Sequence, residues 1–382
     1  MPTPKLPRPQ GAPDSGADRA LRPSAELWRL VPLLLAGMLL SACGTKPLLP
    51  YSTDTPPLVL TPTASAGVVD KRGRFREIFC AVLGRGGADL PDYRPCDEAL
   101  VEVGTEPPGS GAPVDLGESR RRLTALVVPG IGWDCFADWL HPSGSVATHL
   151  RKYGYDAEML QVDALSGSAH NARQIRDALM RRPDPGGSPD IVLVGYSKGA
   201  PDILEAIVAY PEIRPRIAAV VSTAGAIGGS ALANEAEQWQ VNLLQYWPGS
   251  RCTAGDGGGL EDLRPAARKA WLAENPLPSD VPYYSLVTFP DPARISAVLR
   301  PSYRKLARID ARNDSQVTFY DQVIPGSRLI GYVNADHWAL AVPVARSHSL
   351  LRATLVNHND FPREALLEAI LRMVEQDLGT AP

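Results

Sequence analysis

The 382-residue chain lacks the features that mark several classes of function. Its 39 Lys and Arg residues against 42 Asp and Glu residues leave a formal net charge of −3, so no basic excess favours nucleic acid as a partner. No Cys-x-x-Cys or His-x-x-x-His spacing occurs, and no internal repeat is present. We therefore expect no metal site, no cofactor and no nucleic-acid partner.

Long apolar runs are also scarce. Residues 30–40 are almost wholly apolar and follow Arg22 and Arg29, but this run is too short to span a bilayer. A short apolar core behind positive charges is typical of a signal peptide. Residues 40–43 read Leu-Ser-Ala-Cys and resemble the bacterial lipobox, which implies cleavage before Cys43 and lipid attachment to its thiol. The alternative is an ordinary secretory peptide followed by a chance cysteine.

The chain is predicted to have three parts. Residues 1–42 form the signal peptide, residues 43–70 form a flexible tether rich in Pro, Thr and Ser, and residues 71–382 form one globular domain. Gly44 follows the lipidated cysteine, and a non-Asp residue there implies export to the outer membrane. We expect a protein of the bacterial cell envelope, lipid-anchored at the outer membrane and facing the periplasm.

Cysteine is rare, and the few cysteines indicate an oxidising compartment. Four remain beyond the lipidated residue, an even number that predicts two disulfides in an exported protein. Cys80 and Cys96 are close in sequence and are predicted to pair, which leaves Cys135 with Cys252. Four cysteines also allow two other pairings.

The most informative motif is Gly-x-Ser-x-Gly around Ser197. The apolar residues 191–194 before it are mostly β-branched, as a buried parallel strand requires. Apolar residues recur at helical spacing after it. Strand, tight turn and helix together predict a nucleophile elbow, in which Ser197 has a strained backbone and an exposed hydroxyl. The alternative is a glycine-rich loop with a surface serine.

Strand-like and helix-like segments alternate through the globular part. Strands are predicted at residues 123–128, 157–162, 191–194, 217–221, 283–289 and 328–333. Helices are predicted after the Ser197 motif and at residues 146–153, 171–180 and 362–378. This alternation predicts an α/β fold whose parallel sheet is covered by helices on both faces.

With this elbow and this alternation, residues 120–380 resemble the α/β-hydrolase superfamily, and within it bacterial lipase- and esterase-like lipoproteins. The resemblance implies a mostly parallel sheet flanked by helices, with nucleophile, acid and histidine in that chain order. A serine hydroxyl needs a base to take its proton. His337 follows the last predicted strand, as the catalytic histidine does in the family, and is the predicted base. Residues 230–280 break the alternation and are interpreted as a helical cap over the site; the alternative is an insertion without contact to substrate.

Several aspartates compete for the role of the acid. Residues 313–317 read Asn-Asp-Ser-Gln-Val and resemble the family's Asn-Asp-Gly-x-Val loop, which makes Asp314 the first choice. Asp321 is the second choice. Asp291 lies between two prolines and fits a simple turn, and Asp336 adjoins the histidine and is expected to point elsewhere.

Two backbone N–H groups are predicted to bind the oxyanion that forms during acyl transfer. One belongs to Lys198, because the residue after the nucleophile begins a helix whose first amides are free. The other belongs to Ile131, because residues 129–132 read Pro-Gly-Ile-Gly and resemble the lipase His-Gly-x-Gly turn. A plain glycine turn is the alternative there. The Lys198 ammonium is expected to lie in solvent; the alternative is that it attracts an anionic substrate.

The resemblance implies a carboxylic-ester hydrolase that forms an acyl-enzyme. The expected substrate is a small-molecule or lipid ester, because membrane tethering and a tryptophan-bearing cap favour a lipid or other hydrophobic ester. Three alternatives remain at this stage. Acyl transfer would use the same triad with an alcohol in place of water. A non-catalytic envelope lipoprotein would keep the fold as a binding surface. A peptidase is the third alternative, but no feature of the chain indicates specific recognition of a peptide amide.

Replacing Cys43 with serine should prevent lipidation, because only a thiol forms the thioether to diacylglycerol. We expect Cys43→Ser protein to remain unprocessed or to enter a soluble fraction, whereas the parent protein fractionates with membranes. Mass spectrometry of envelope-derived protein provides the measurement. An unmodified Cys43 in the parent protein would refute the anchor.

Overall fold

In the computed structural model of the chain, the structure describes residues 67–140, 145–183, 189–237, 243–246, 250, 252 and 255–379. The predicted signal peptide, Cys43 and most of the predicted tether lie outside these residues. None of the helices within the described part is both long and apolar enough to cross a membrane.

The described strands form one seven-stranded sheet in the order β1-β7-β6-β5-β4-β2-β3, and every pair within it is parallel. The α/β prediction is confirmed, with a fully parallel sheet where a mostly parallel one was expected. The strands are β1 Val69–Asp70, β2 Thr124–Val128, β3 Asp156–Met159, β4 Ile191–Tyr196, β5 Ile217–Thr223, β6 Tyr283–Thr288 and β7 Arg328–Val333.

Helices cover both faces of the sheet. The long ones are α1 Arg72–Gly86, α5 Ser168–Arg181, α6 Gly199–Ala209, α7 Pro265–Glu274 and α12 Arg363–Leu378. The short ones are α2 Cys96–Ala99, α3 Trp133–Leu140, α4 Ser145–Arg151, α8 Arg300–Leu306, α9 His337–Ala341, α10 Val344–Ser347 and α11 Ser349–Thr354. Turns of 3-10 helix occur at Gly87–Asp89, Pro211–Arg216, Ala231–Asn234, Leu243–Tyr246, Glu261–Leu263, Pro292–Arg294, Ala297–Leu299 and Phe319–Gln322.

Strand β4 shows how the two faces are stabilised. Its side chains alternate between the faces, as the period of a strand requires. Val192 and Val194 belong to a core cluster formed with α1 and α12, whereas Ile191 and Leu193 belong to a cluster formed with α5 and α6. All six residues of the strand are buried. The run of apolar residues in the sequence therefore reflects burial from both sides.

The sequence did not predict β1 and α1. Val69 and Asp70 pair with the first residues of β7, so the sheet begins with the last two residues of the predicted tether. The arginines in the first turn of α1 obscure the apolar spacing that would otherwise indicate a helix in the sequence. Arg72 is paired with Asp70 at 2.7 Å and Arg74 with Glu77 at 2.7 Å, which allows both to be buried.

The predicted cap corresponds to the long segment between β5 and β6, parts of which lie outside the described residues. Its described residues include the 3-10 turns at 231–234, 243–246 and 261–263, followed by α7. Leu260 and Leu263 of this segment pack in one cluster with Ala226 and Val317, and Ile131 packs against that cluster. The segment therefore contacts the turn that was predicted to bind the oxyanion. A covering role over the site stays a prediction.

Both predicted disulfides are present. Cys80 of α1 is bonded to Cys96 of α2, with 5.3 Å between the Cα atoms and a sequence separation of 16. Cys135 of α3 is bonded to Cys252 of the inserted segment, with 4.6 Å between the Cα atoms and a separation of 117. The second bridge connects the helix after the oxyanion turn to the insertion.

The two bridges should differ in their contribution to stability. A longer closed loop removes more entropy from the unfolded chain. Serine at both Cys135 and Cys252 should therefore lower the free energy of unfolding by about 2 kcal/mol more than serine at both Cys80 and Cys96. Urea unfolding of the two double variants measures this difference. The reverse order would show that strain or packing in the folded state dominates over loop closure.

Candidate active site

The order of the sheet reverses at β4. The chain proceeds from β2 to β3 on one side of this strand and from β5 through β7 on the other. Parallel sheets bind ligands at such a reversal, beyond the carboxyl ends of the strands. Ser197 is the first residue after β4, so the topology places its side chain at this position.

Ser197 has a left-handed backbone, with φ of +53°, which costs about 1–3 kcal/mol for a residue with a side chain. The two flanking glycines make the turn possible. A Cβ at Gly195 would lie 2.4 Å from Ala200 Cα, and one at Gly199 would lie 2.1 Å from Val128 O. The residue is 8% exposed, less than the sequence suggested, because Gly130 lies against its Cβ.

The structure brings the three predicted triad residues together. His337 Nε2 lies 2.9 Å from Ser197 Oγ, and His337 Nδ1 lies 2.6 Å from Asp314 Oδ2. His337 is the first residue of α9, immediately after the turn that follows β7. The histidine and the aspartate are 3% and 0% exposed, so water does not compete strongly for either hydrogen bond. In this arrangement Nδ1 donates to the carboxylate and Nε2 is free to accept from the serine hydroxyl.

Asp314 is held by its own loop. The backbone N–H groups of Gln316 and Val317 donate to Oδ1 at 2.9 and 2.8 Å. The backbone N–H of His337 donates to the carbonyl oxygen of Asp314 at 2.9 Å. Ser315 has φ of +85°, a conformation that favours glycine, which explains why the family has glycine at this point of the loop.

Two residues that the sequence analysis did not single out support the triad. Thr288 Oγ1, at the end of β6, donates to Asp314 Oδ2 at 2.9 Å. Tyr196 OH donates to the carbonyl oxygen of His337 at 2.8 Å, and burial raises the pKa of this phenol well above its usual value. The available signal was a polar residue near the carboxyl end of a predicted strand: Thr288 lies inside the strand predicted at 283–289, and Tyr196 lies two residues beyond the one predicted at 191–194.

The competing aspartates have other roles. Asp291 accepts from the N–H of Ala293 at 2.9 Å and caps a 3-10 turn, as the sequence suggested. Asp336 caps α9 and also accepts from the N–H of Ser296 at 2.9 Å. Asp321 accepts from Thr318 Oγ1 at 2.6 Å. Asp314 is the only carboxylate hydrogen-bonded to the ring of His337 among the described residues.

The predicted oxyanion donors lie on two turns in contact with Ser197. No described residue accepts a hydrogen bond from the N–H of Ile131 or from that of Lys198, so both remain available. The side chain of Lys198 is not in solvent as expected. It is 1% exposed and paired with Asp202 at 2.7 Å, because the first turn of α6 packs tightly against α5.

Within the residues that the structure describes, no group of three or more His, Cys, Asp or Glu side chains could hold a metal ion. The described part of the site offers serine, histidine and carboxylate side chains together with backbone amides.

Comparison with solved structures finds the metagenomic carboxyl esterase MGS0156, which is 39% identical with a TM-score of 0.78 over 91% of this chain and 99% of that one. Bacillus licheniformis lipase BlEst2 in its mature form is 18% identical over 61% of this chain and 90% of that chain, with a TM-score of 0.48. Staphylococcus hyicus lipase is 11% identical over 70% of this chain and 99% of that chain, also with a TM-score of 0.48. No protein-family model matches the chain, and no curated protein matches it.

A parallel sheet with a serine elbow at its reversal point defines an α/β-hydrolase fold. Given its 39% identity to MGS0156 over most of both chains, the protein belongs to the carboxyl esterases of the α/β-hydrolase superfamily.

Asp321 should make stability depend on pH. Burial raises its pKa from 3.8 to about 6, so the folded state holds this proton more tightly than the unfolded state does. The contribution of this raised pKa to the free energy of unfolding is fully present below about pH 4, and it is lost as the pH rises through about 6. Asp321→Asn mimics the protonated form, and above pH 6 it should be more stable than the parent by on the order of 2–3 kcal/mol. Urea unfolding at pH 4 and pH 7.5 tests this; an advantage of equal size at both pH values would contradict it.

Proposed function

We propose that the protein hydrolyses carboxylic esters through an acyl-enzyme on Ser197, with His337 as the base and Asp314 as the acid. One observation carries the proposal: an unbroken pair of hydrogen bonds, of 2.9 and 2.6 Å, runs from Ser197 Oγ through the imidazole to Asp314. All three side chains are buried at the reversal point of the sheet. The resemblance to a carboxyl esterase supports the choice of an ester as substrate.

The first half of the reaction forms the acyl-enzyme. Ser197 Oγ attacks the carbonyl carbon of the ester while His337 Nε2 takes the hydroxyl proton, and the carbonyl π electrons move onto oxygen. The tetrahedral intermediate then collapses and breaks the bond to the alcohol oxygen, which receives the proton from His337. In the second half, water replaces the serine hydroxyl as nucleophile and the carboxylic acid leaves.

The carboxylate of Asp314 fixes the imidazole for both halves. It holds Nδ1 protonated, which leaves Nε2 as the acceptor, and its negative charge stabilises the imidazolium that forms in each transition state. Its oxygens also accept from Gln316, Val317 and Thr288, so the carboxylate cannot rotate freely. The geometry of the base is thereby set by the loop rather than by the substrate.

The N–H groups of Ile131 and Lys198 bind the developing oxyanion. Both belong to segments in contact with Ser197, and neither donates to another described residue. Donors held in place before the reaction need no reorganisation when negative charge appears, which makes such contacts a large part of catalysis.

The substrate we propose is a hydrophobic ester. Leu244 of the insertion lies 3.2 Å from the position of a Cβ at Gly132, in the oxyanion turn. Ile131 packs with the apolar cluster around Leu260 and Leu263. Apolar side chains around the proposed oxyanion turn favour an acyl or alcohol group of the same character. Anchoring through lipidated Cys43 at the outer membrane remains part of the proposal and would place the domain near lipid esters.

Ser197→Ala tests the proposed function directly. Removal of the nucleophile should lower turnover of a short-chain p-nitrophenyl ester by roughly 10⁴- to 10⁶-fold and abolish labelling by a fluorophosphonate, while the melting temperature stays close to that of the parent. Undiminished turnover by this variant would remove Ser197 from the mechanism. Esters of graded chain length, assayed on the parent protein, then test the hydrophobic preference.

A matched pair of variants locates the acid. Asp314→Asn should lose roughly 10³-fold or more in turnover because the amide favours the wrong tautomer of His337. Asp321→Asn changes another buried carboxylate of the same region and should leave turnover nearly unchanged. The opposite ranking would move the acid to Asp321 and leave the nucleophile assignment intact.

A further inference from the structure

A buried ion pair lies in the first turn of α6, directly after the nucleophile. Lys198 Nζ is 2.7 and 2.9 Å from the two carboxylate oxygens of Asp202, and both side chains are 1% exposed. Taking two charges out of water is expensive, and well-packed apolar side chains of similar size would often be as stable or more so. Stability alone therefore does not account for this pair.

The carboxylate of Asp202 is also bound by α5. Ser168 Oγ donates to Oδ1 at 2.6 Å, and Asn171 Nδ2 donates to Oδ2 at 2.7 Å. Each oxygen thus has one donor from Lys198 and one from α5, which leaves the carboxylate a single orientation. The ammonium at the far end of the Lys198 side chain is consequently anchored to a neighbouring helix.

The inserted segment holds the start of α5. Asp256 Oδ1 accepts from the N–H of Gly167 at 2.8 Å, and Asp262 Oδ2 accepts from the N–H of Ser168 at 2.5 Å. Carboxylates at a helix amino terminus satisfy free amides and complement the helix dipole. Hydrogen bonds therefore connect the insertion to α5, α5 to Asp202, and Asp202 to Lys198.

A second connection reaches the other side of the same turn. Arg268 of α7 is 2% exposed, and its Nε donates to the carbonyl oxygen of Ile227 at 3.2 Å. The adjacent residue, Ala226, donates its N–H to the carbonyl oxygen of Ser197 at 3.0 Å. That carbonyl belongs to the same peptide as the Lys198 N–H, so the insertion constrains this peptide from both directions.

We propose that Asp202 is a positioning residue for the oxyanion: by anchoring the Lys198 side chain to α5, it fixes the direction of the Lys198 backbone N–H. This inference rests on the proposed function, in which that N–H binds the oxyanion. A misplacement of about 1 Å at a reacting group can cost on the order of 100-fold in rate, so an anchor of this kind has a measurable effect. Asp202 contacts neither substrate nor the reacting atoms and acts through Lys198.

The test uses the full chain with both charges removed together. Lys198→Met keeps the side-chain stem, and Asp202→Asn keeps an acceptor for Ser168. Asn171 Oδ1 has no partner among the described residues, so its amide can turn and accept from the new amide at 202. The double variant therefore removes both charges of the pair together and is expected to fold.

Turnover is measured per active site, titrated with a fluorophosphonate, so that unfolded protein does not enter the rate. We expect kcat for a short-chain p-nitrophenyl ester to fall about 10- to 100-fold with little change in KM. The affinity for an alkyl boronic acid, whose tetrahedral adduct places an oxygen on the oxyanion donors, should fall by a similar factor. If Asp202 had only a structural role, the double variant would have a lower melting temperature but the kcat and boronate affinity of the parent.

A second buried ion pair with the same spacing provides the control. Arg372 and Glu368 of α12 are paired at 2.6 Å, with side chains 6% and 0% exposed, and lie outside the site described above. The control double variant, Arg372→Met with Glu368→Gln, should lower stability, because Glu368 also pairs with Arg85 and His149, while keeping kcat per titrated site and boronate affinity at parent values. An equal loss of kcat in this control, or parent kcat in the Lys198–Asp202 variant, would overturn the proposal. Failure of the proposed function would instead appear in the parent protein, as an absence of labelling and of ester turnover.

Discussion

The left-handed backbone of Ser197 is a constraint that the surrounding structure has to satisfy. A conformation that costs free energy persists only where neighbouring groups leave no alternative. Here the carbonyl of Val128, the backbone of Ala200 and the turn at Gly130 all lie within contact distance of the elbow. The long apolar strands beside it are buried on both faces, so the sheet cannot yield to relieve the strain. The reactive hydroxyl is therefore positioned by the core of the domain.

His337 follows β7, and Asp314 is bound by Thr288 at the end of β6, so the alignment of the two side chains depends on the register of β6 and β7. Thr288 ends β6 and holds Asp314, while the chain that leaves β7 delivers His337. Leu286 pairs with Gly331 and Thr288 with Val333, so the two strand ends stay level. A slip of register would move the base away from its acid. Pairing between backbone groups thus sets the alignment of the imidazole with its carboxylate.

The sequence predicted the elements whose pattern depends on burial alone. Strand β7 has the predicted bounds, and β4, buried on both faces, differs only by its last two residues. Local pattern could not identify α1, because Arg72 and Arg74 are buried through ion pairs that form only in the fold. The prediction that Lys198 lies in solvent was wrong for the same reason. Its partner Asp202 lies in the first turn of α6, but the groups that orient Asp202 come from α5. Tertiary partners decide where a charged side chain lies, and a single sequence does not display them.

The two-residue strand β1 has a consequence for how the domain meets its surroundings. Val69 pairs with Arg328, the first residue of β7, so the chain enters the parallel sheet at the amino-terminal ends of the strands. Ser197 lies on the opposite side of the sheet, at the carboxyl ends of the strands. A domain held by its amino terminus would consequently present its catalytic face away from the point of attachment. Substrate would then reach the site from the far side of the domain. The length of the linking segment would affect which molecules the enzyme can reach, and it would have less effect on the reaction itself.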